Sequence, residues 1–291
     1  MTTIAFIGLG HMGGGMAANL AKAGHDVRAF DLSTDALATA QANGCLASAT
    51  AVEAVTDADV VVTMLPAGKH VAQVYDETIL TTAKPNTLLI DCSTIDVATA
   101  REVAAQAETK GLTAVDAPVS GGIAAANGGT LTFMVGGSAE AFARAQPVLA
   151  DMGKAVIHAG ANGAGQAAKI CNNMILGATM AVTTEAFNLA AALGLDAQAF
   201  YDIASVSSGQ SWSLTSYCPV PGVGPETPAD RGYEGGFAGA LMLKDMRLAL
   251  DAAQAGGTAV PVASIAAERY QALADRGDGG SDIRRGKRLV C

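Results

Sequence analysis

The sequence predicts an α/β fold: an N-terminal domain built on a parallel sheet (residues 1–162), joined by a long helix to an all-α C-terminal domain (residues 163–291). Three observations carry this expectation. Short apolar runs alternate with helical patterns over the first half of the chain, as in successive βαβ units. The first run leads directly into a glycine-spaced turn, Gly8-Leu9-Gly10-His11-Met12-Gly13. Beyond residue 162 strand patterns disappear and helical periodicity takes over.

The expected strands lie at 3–8, 26–30, 59–64, 87–91, 113–116, 131–136 and 154–158, with helices at 12–23, 35–43, 67–75, 97–110 and 139–152 between them. The second half reads as helices at 163–193, 196–205, 235–256 and 261–276. The first of these is long enough to connect two domains. A Ser, Pro and Gly-rich stretch from Ser207 to Gly236 is longer than a simple linkage inside a compact domain requires and is expected to cover something.

The glycine turn has the context of a Rossmann-type dinucleotide site. Gly8 allows the sharp turn out of the strand, Gly10 lets the backbone approach a pyrophosphate, and Gly13 lets the following helix lie close to the sheet. The N-terminus of that helix presents free N–H groups to the phosphates. Asp31 ends the second strand, where a carboxylate can accept both ribose hydroxyls, and Leu32 follows it where an Arg would favour a 2′-phosphate. NAD is therefore expected rather than NADP. Ligands of such a sheet bind beyond the carboxyl ends of the strands, which draws attention to Leu65-Pro66, Asp91-Cys92-Ser93-Thr94 and Asp116-Ala117-Pro118-Val119-Ser120-Gly121-Gly122.

Composition narrows the function. The 291 residues carry a net charge of −9, which argues against a nucleic-acid partner. The basic run Arg284-Arg285-Gly286-Lys287-Arg288 is read as a solvated end. Cysteines at 45, 92, 171, 218 and 291 show no metal-ligand or disulfide spacing, so no metal is expected and free thiols in a reducing compartment are. The first strand starts near residue 3, leaving no room for a targeting peptide, and a cytoplasmic location is expected. Residues 165–182 are apolar enough to test as a membrane span, but Gln166, Lys169, Asn172 and Asn173 interrupt them, and a helix of a soluble protein is the better reading.

Asn162, Gln166, Lys169 and Asn173 recur at spacings of four, three and four, which places them on one stripe of the long helix. The approach Gly160-Ala161-Asn162-Gly163-Ala164-Gly165 is expected to clear space for a ligand beside the helix N-terminus.

Gly8-Leu9-Gly10-His11-Met12-Gly13, Asp116-Ala117-Pro118-Val119-Ser120-Gly121-Gly122, Gly165-Gln166-Ala167-Ala168-Lys169-Ile170-Cys171-Asn172-Asn173 and Lys244-Asp245 resemble, in order, the signatures of the β-hydroxyacid dehydrogenase family. Ser211-Trp212-Ser213, Pro219-Val220-Pro221-Gly222-Val223 and Gly235-Gly236-Phe237 are most similar to the members that act on 3-hydroxyisobutyrate. Family members usually continue past Ser281-Asp282 into a further apolar helix, where this chain has its short basic end.

The resemblance implies an NAD-dependent oxidation of a small β-hydroxy acid, 3-hydroxyisobutyrate to methylmalonate semialdehyde in valine breakdown. L-Serine, 3-hydroxypropionate or a short semialdehyde are the alternatives, and a non-catalytic NAD-binding sensor is the reading of another class. It implies that Ser120 and the N–H groups of Gly121 and Gly122 hold the substrate carboxylate and that Lys169 is the general base. Asn173 would hydrogen-bond the substrate and Trp212 would wall its pocket, with Phe237 a weaker candidate. On the cofactor side it implies Gly8, Leu9, Gly10, His11, Met12, Gly13, Asp31, Leu65, Pro66, Thr94 and Lys244. For Asp245, orienting its surroundings and a charge on a solvated helix face stand as equal readings. Ser93 and Cys92 are read as turn residues. Small residues along the long helix (Gly177, Ala178, Ala181, Ala190 to Ala192) suit packing between subunits, and a homodimer or homotetramer is expected.

Overall fold

The computed structural model describes residues 1–283. The basic run from Arg284 and Cys291 lie outside the described residues. By compactness the chain divides into a unit ending at Lys169 and one beginning at Ile170. The division falls inside the long helix, whereas the sequence places it just ahead of that helix.

The first unit contains nine strands: β1 Thr3–Ile7, β2 Asp26–Phe30, β3 Leu46–Ala47, β4 Val60–Thr63, β5 Leu88–Asp91, β6 Thr113–Asp116, β7 Val119–Ser120, β8 Leu131–Gly136 and β9 Gly153–Gly160. Its helices are α1 Gly13–Lys22, α2 Thr34–Ala42, α3 Ala51–Val55, α4 Gly68–Val74, α5 Leu80–Thr82, α6 Val97–Thr109, α7 Gly122–Asn127 and α8 Ala139–Ala150, with a wide π-turn at Tyr75–Ile79 between α4 and α5. The strand order is β3-β2-β1-β4-β5-β6-β8-β7, with β9 also paired to β8. Strands β3 to β6 along this path are parallel, as expected, but β8 runs antiparallel to both β6 and β7 while β9 is parallel to β8. The sheet is thus mixed at one side, because the short β7 and α7 reverse the chain before β8.

The strands read as continuous apolar runs because both faces are covered. Alternation along β1 sends Ile4 and Phe6 into one layer, with Met16 and Leu20 of α1 and Val148 and Leu149 of α8. Ala5 and Ile7 enter the opposite layer, with Val71 of α4, Tyr75 and Val103 of α6. The order reverses between β1 and β4, so the loops after β1, β2 and β4 open on one crevice at the carboxyl edge, the position where such sheets take dinucleotides.

The second unit is helical. Helix α9 runs Ala164–Ala192 and is followed by α10 Ala197–Ala204, α11 Trp212–Thr215, α12 Gly239–Ala255 and α13 Pro261–Asp275. No strand follows β9 among the described residues; an isolated bridge joins Ala238 and Asp282. Helices α12 and α13 bury Met242, Met246, Ala266 and Tyr270 against Met180 of α9. Phe187, Leu214, Cys218, Val220 and Val223 form a smaller cluster, so part of the Ser207–Gly236 stretch is folded on its own apolar residues.

The small residues of α9 serve this packing. A Cβ at Gly177 would stand 2.5 Å from the Met246 sulfur, and the Tyr270 hydroxyl donates to the Gly177 carbonyl at 2.9 Å. Ala178 and Ala181 pack on the same cluster. Packing inside the chain thus already uses these three residues. The exposed large apolar residues of α9 are Ile175, Val182 and Leu189. By length and composition α9 could cross a membrane, yet it buries Gln166, Lys169 and Asn173, which demand polar partners.

Candidate active site

The glycine turn after β1 is held tightly where the scaffold needs it and open where a ligand would come. Gly8 takes φ +96°, and a Cβ there would lie 2.4 Å from the Met64 carbonyl oxygen. A Cβ on Gly13 would meet the Gly8 oxygen at 2.0 Å, so α1 can lie against the turn only without one. A Cβ on Gly10 would meet nothing within 4 Å. Met12 precedes α1 without a side-chain cap, and although the Gly14 N–H donates to the Gly10 carbonyl at 3.2 Å, the positive end of the helix faces the turn. His11 is exposed beside them. This cradle fits a pyrophosphate.

Asp31 follows β2. One carboxylate oxygen accepts from the Leu9 N–H at 2.6 Å and the other from the Ser33 N–H at 2.8 Å. These bonds aim the carboxylate across the turn, and each oxygen keeps a lone pair for a ribose hydroxyl. Leu32 beside it is 93% exposed and brings no cation.

The loops after β4 and β5 are tied together underneath. The Leu65 N–H donates to Ser93 Oγ at 2.8 Å, and the Ser93 hydroxyl donates to Asp91 Oδ1 at 2.6 Å. Thr63 donates to the same oxygen at 2.7 Å. Burial pushes the Asp91 carboxyl up to about 6, against these hydroxyl and N–H donors. Ser93 and Cys92 are fully buried, and Ser93 ties Leu65 to the turn that Thr94 follows.

Ser120 ends β7, paired with Thr132, and is followed by Gly121 at φ +136° and Gly122 at φ +71°. Both glycines are exposed, so their backbone is accessible to a small ligand.

Asp116, at the end of β6, faces the start of α9. Its Oδ1 accepts from the Gly163 N–H at 2.6 Å and its Oδ2 from the Gln166 N–H at 2.8 Å. Burial raises its pKa, while these N–H groups and that of Gly165 pull it down. The glycines around it leave no space. A Cβ on Gly136 would lie 2.4 Å from Asp116 Oδ1, and one on Gly165 would lie 2.3 Å from the Met134 oxygen. The expectation that the glycine approach clears room for a ligand is thus corrected: Gly165, with Gly136, admits the Asp116 carboxylate to the helix end, and a Cβ on Gly163 would meet Arg101 and Val97. Asn162 precedes α9 and donates to the Ala114 carbonyl at 2.9 Å, so it leaves the polar stripe.

On α9 itself Gln166 is fully buried and Lys169 is 8% exposed. One turn further, Asn173 is buried and donates to Asp245 Oδ2 at 2.6 Å, while accepting from Asn172 at 3.0 Å. Lys244 Nζ stands 3.5 Å from Asp245 Oδ1. Asp245 is buried, which decides between its two readings: it orients Asn173 and is no solvated charge. Trp212 is 53% exposed and stacks on Tyr217, with ring centroids 4.7 Å apart. The Phe237 N–H donates to Asp282 Oδ2 at 2.8 Å.

Sequence reasoning gave Asp116 and Gln166 no role of their own. The available signal was an acid at a strand end followed, some fifty residues on, by a helix entry spaced with glycines.

Comparison with known proteins agrees with this geometry. Residues 3–160 match the family model for the NAD-binding domain of 6-phosphogluconate dehydrogenase, and residues 163–289 match that described as NAD-binding of NADP-dependent 3-hydroxyisobutyrate dehydrogenase. The chain is 50% identical to 3-hydroxyisobutyrate dehydrogenase of Pseudomonas aeruginosa over 97% of its own length and 96% of the relative's. It is 48% identical to NAD-dependent L-serine dehydrogenase of the same organism, over 97% and 96%. A solved structure of Mycobacterium tuberculosis 3-hydroxyisobutyrate dehydrogenase with L-serine superposes with a TM-score of 0.95 at 48% identity, covering 100% of this chain and 99% of that one. With the glycine cradle, Asp31 and the buried Lys169 already in place, these matches show that the chain belongs to the β-hydroxyacid dehydrogenase family of NAD-binding oxidoreductases.

Proposed function

We propose that this protein oxidises 3-hydroxyisobutyrate to methylmalonate semialdehyde with NAD, a step of valine breakdown, and that Lys169 is its general base. The observation that carries the reading is Lys169 itself, a lysine almost withdrawn from water on an apolar helix. Lysines are seldom buried to this degree without a partner or a task, and a buried amine is a common choice of general base. The 3-hydroxyisobutyrate dehydrogenase relatives support the substrate.

Bound NAD supplies the hydride acceptor. Gly8, Leu9, Gly10, His11, Met12 and Gly13 would hold its pyrophosphate, Asp31 its ribose, and Leu65, Pro66 and Thr94 its remaining crevice side, with Lys244 near the reacting end. Ser120 and the Gly121 and Gly122 N–H groups bind the substrate carboxylate as neutral donors. Lys169 takes the hydroxyl proton as the carbon gives up its hydride, and returns it in the reverse direction. Asn173, fixed by Asp245, hydrogen-bonds the substrate, and Trp212 bounds its apolar side.

A second reading, L-serine as substrate, is favoured by the L-serine dehydrogenase relative. The two differ at C2, where L-serine carries an ammonium group in place of the methyl, so an apolar pocket favours the methyl and a polar one the ammonium. We further infer a homo-oligomer seated on the Ile175, Val182 and Leu189 face of α9, spaced one heptad apart and 62%, 58% and 60% exposed. No disulfide joins Cys45, Cys92, Cys171 and Cys218, which supports a reducing, cytoplasmic setting.

With NAD saturating, kcat/KM for 3-hydroxyisobutyrate is expected to exceed that for L-serine and 3-hydroxypropionate by about tenfold or more. A higher value for L-serine overturns the substrate while leaving the reaction class. Lys169→Ala is expected to lower kcat by about 10²–10⁴-fold, with NADH affinity within a few-fold of the parent; normal turnover refutes the general-base role. Asp31→Asn is expected to erode the preference for NAD over NADP in paired assays. An unchanged ratio would mean that another residue reads the ribose.

A further inference from the structure

Gln166 occupies a helix position with no exposure at all, where an apolar residue would be the ordinary choice. Burying a carboxamide without partners is costly, so its two hydrogen bonds define what it does. Its Nε2 donates to the Ser93 carbonyl at 2.8 Å, and its Oε1 accepts from the Ile95 N–H at 3.1 Å. The two bonds grip the backbone on either side of Thr94. The same residue is held from behind, because its own N–H donates to Asp116 Oδ2 at 2.8 Å. One helical turn later on the same face comes Lys169.

From this arrangement we infer that Gln166 is a positioning residue: its side-chain amide clamps the Thr94 loop to the helix that carries Lys169 and so sets the distance between cofactor and base. The inference rests on the proposed role of Lys169. A clamp of this form fixes separation in two directions, since donor and acceptor of one rigid amide engage two backbone groups of the same loop. Through Ser93 it extends to Leu65, whose N–H ends on the Ser93 hydroxyl. The parts expected to hold the dinucleotide after β4 and β5 are thereby referenced to the base by one side chain. Misplacement by about 1 Å at a reacting centre can cost about 10²-fold in rate.

The test is Gln166→Met, which keeps length and volume and removes both bonds. Turnover of 3-hydroxyisobutyrate, NADH affinity by fluorescence, and the primary deuterium isotope effect with substrate labelled at the hydroxyl-bearing carbon are read together, with Lys169→Ala as control. The expected result is a fall in kcat of about 10–100-fold, NADH affinity within threefold, and a larger isotope effect as hydride transfer becomes the slow step. A merely structural role would lower the amount of active enzyme and leave the isotope effect unmoved.

Should the methionine variant fail to fold, Gln166→Glu carries the test. It keeps the acceptor for Ile95 and loses the donor when ionised, and burial beside Asp116 favours its protonated form. Its rate relative to the parent is expected to rise as the pH is lowered from 8 to 6, when the protonated carboxyl regains a donor for the Ser93 carbonyl. Parental kcat and isotope effect in Gln166→Met, or a pH-independent ratio in Gln166→Glu, overturns the inference while Lys169→Ala is inactive. An active Lys169→Ala instead removes the reading on which it rests.

Discussion

A buried carboxylate set against the start of a long helix organises the first unit. Asp116 carries no cation of its own in the hydrogen bonds that hold it; its counter-charge is the row of N–H groups at the beginning of α9. For the carboxylate to reach them, the strand and the helix entry must approach to backbone contact, which is why Gly136 and Gly165 cannot carry side chains. The bond fixes where α9 begins and how it is rotated. Gln166 and Lys169 take their places from that rotation, three residues apart on one face.

The dinucleotide end follows a parallel logic. Strand ends deliver backbone turns, and short polar side chains lock them: Asp31 to Leu9, Ser93 to Leu65, and Asp91 beneath Ser93. The first two locks join residues far apart in sequence across adjacent parallel strands, where the βαβ connection leaves the carboxyl ends side by side. The second unit repeats the device on its own scale. Asp245 on α12 holds Asn173 on α9 and lies beside Lys244, so an amide and an ammonium are oriented by one buried carboxylate.

Much of this was legible in the residues. Strands with apolar runs, the glycine turn and the helical second half follow from periodicity, because burial on both faces of a parallel sheet and on one stripe of a helix leaves a repeating trace. The two-residue strands β3 and β7 and the short helices α3 and α7 left none, being too brief to repeat. Consequently the reversal that turns β8 antiparallel went unseen. Glycines were legible as close approaches but not as approaches to what. Gly165 admits Asp116, Gly163 admits Arg101, and Gly177 admits Met246. Only the tertiary partner distinguishes these uses. The same holds for Asp245, whose burial no spacing in α12 announces, and for Gln166, whose partners lie some seventy residues back.

The central claim is that the Asp116 cap aligns the helix that bears Lys169. Asp116→Asn tests it most directly, since it keeps the shape, leaves one acceptor oxygen and turns an NH₂ group toward the helix N–H donors. A lost buried acceptor of this kind costs about 1–3 kcal/mol. Measured together, kcat for 3-hydroxyisobutyrate should fall at least about tenfold with a lowered thermal midpoint, while NADH affinity is retained. Parental kcat in this variant would contradict the account.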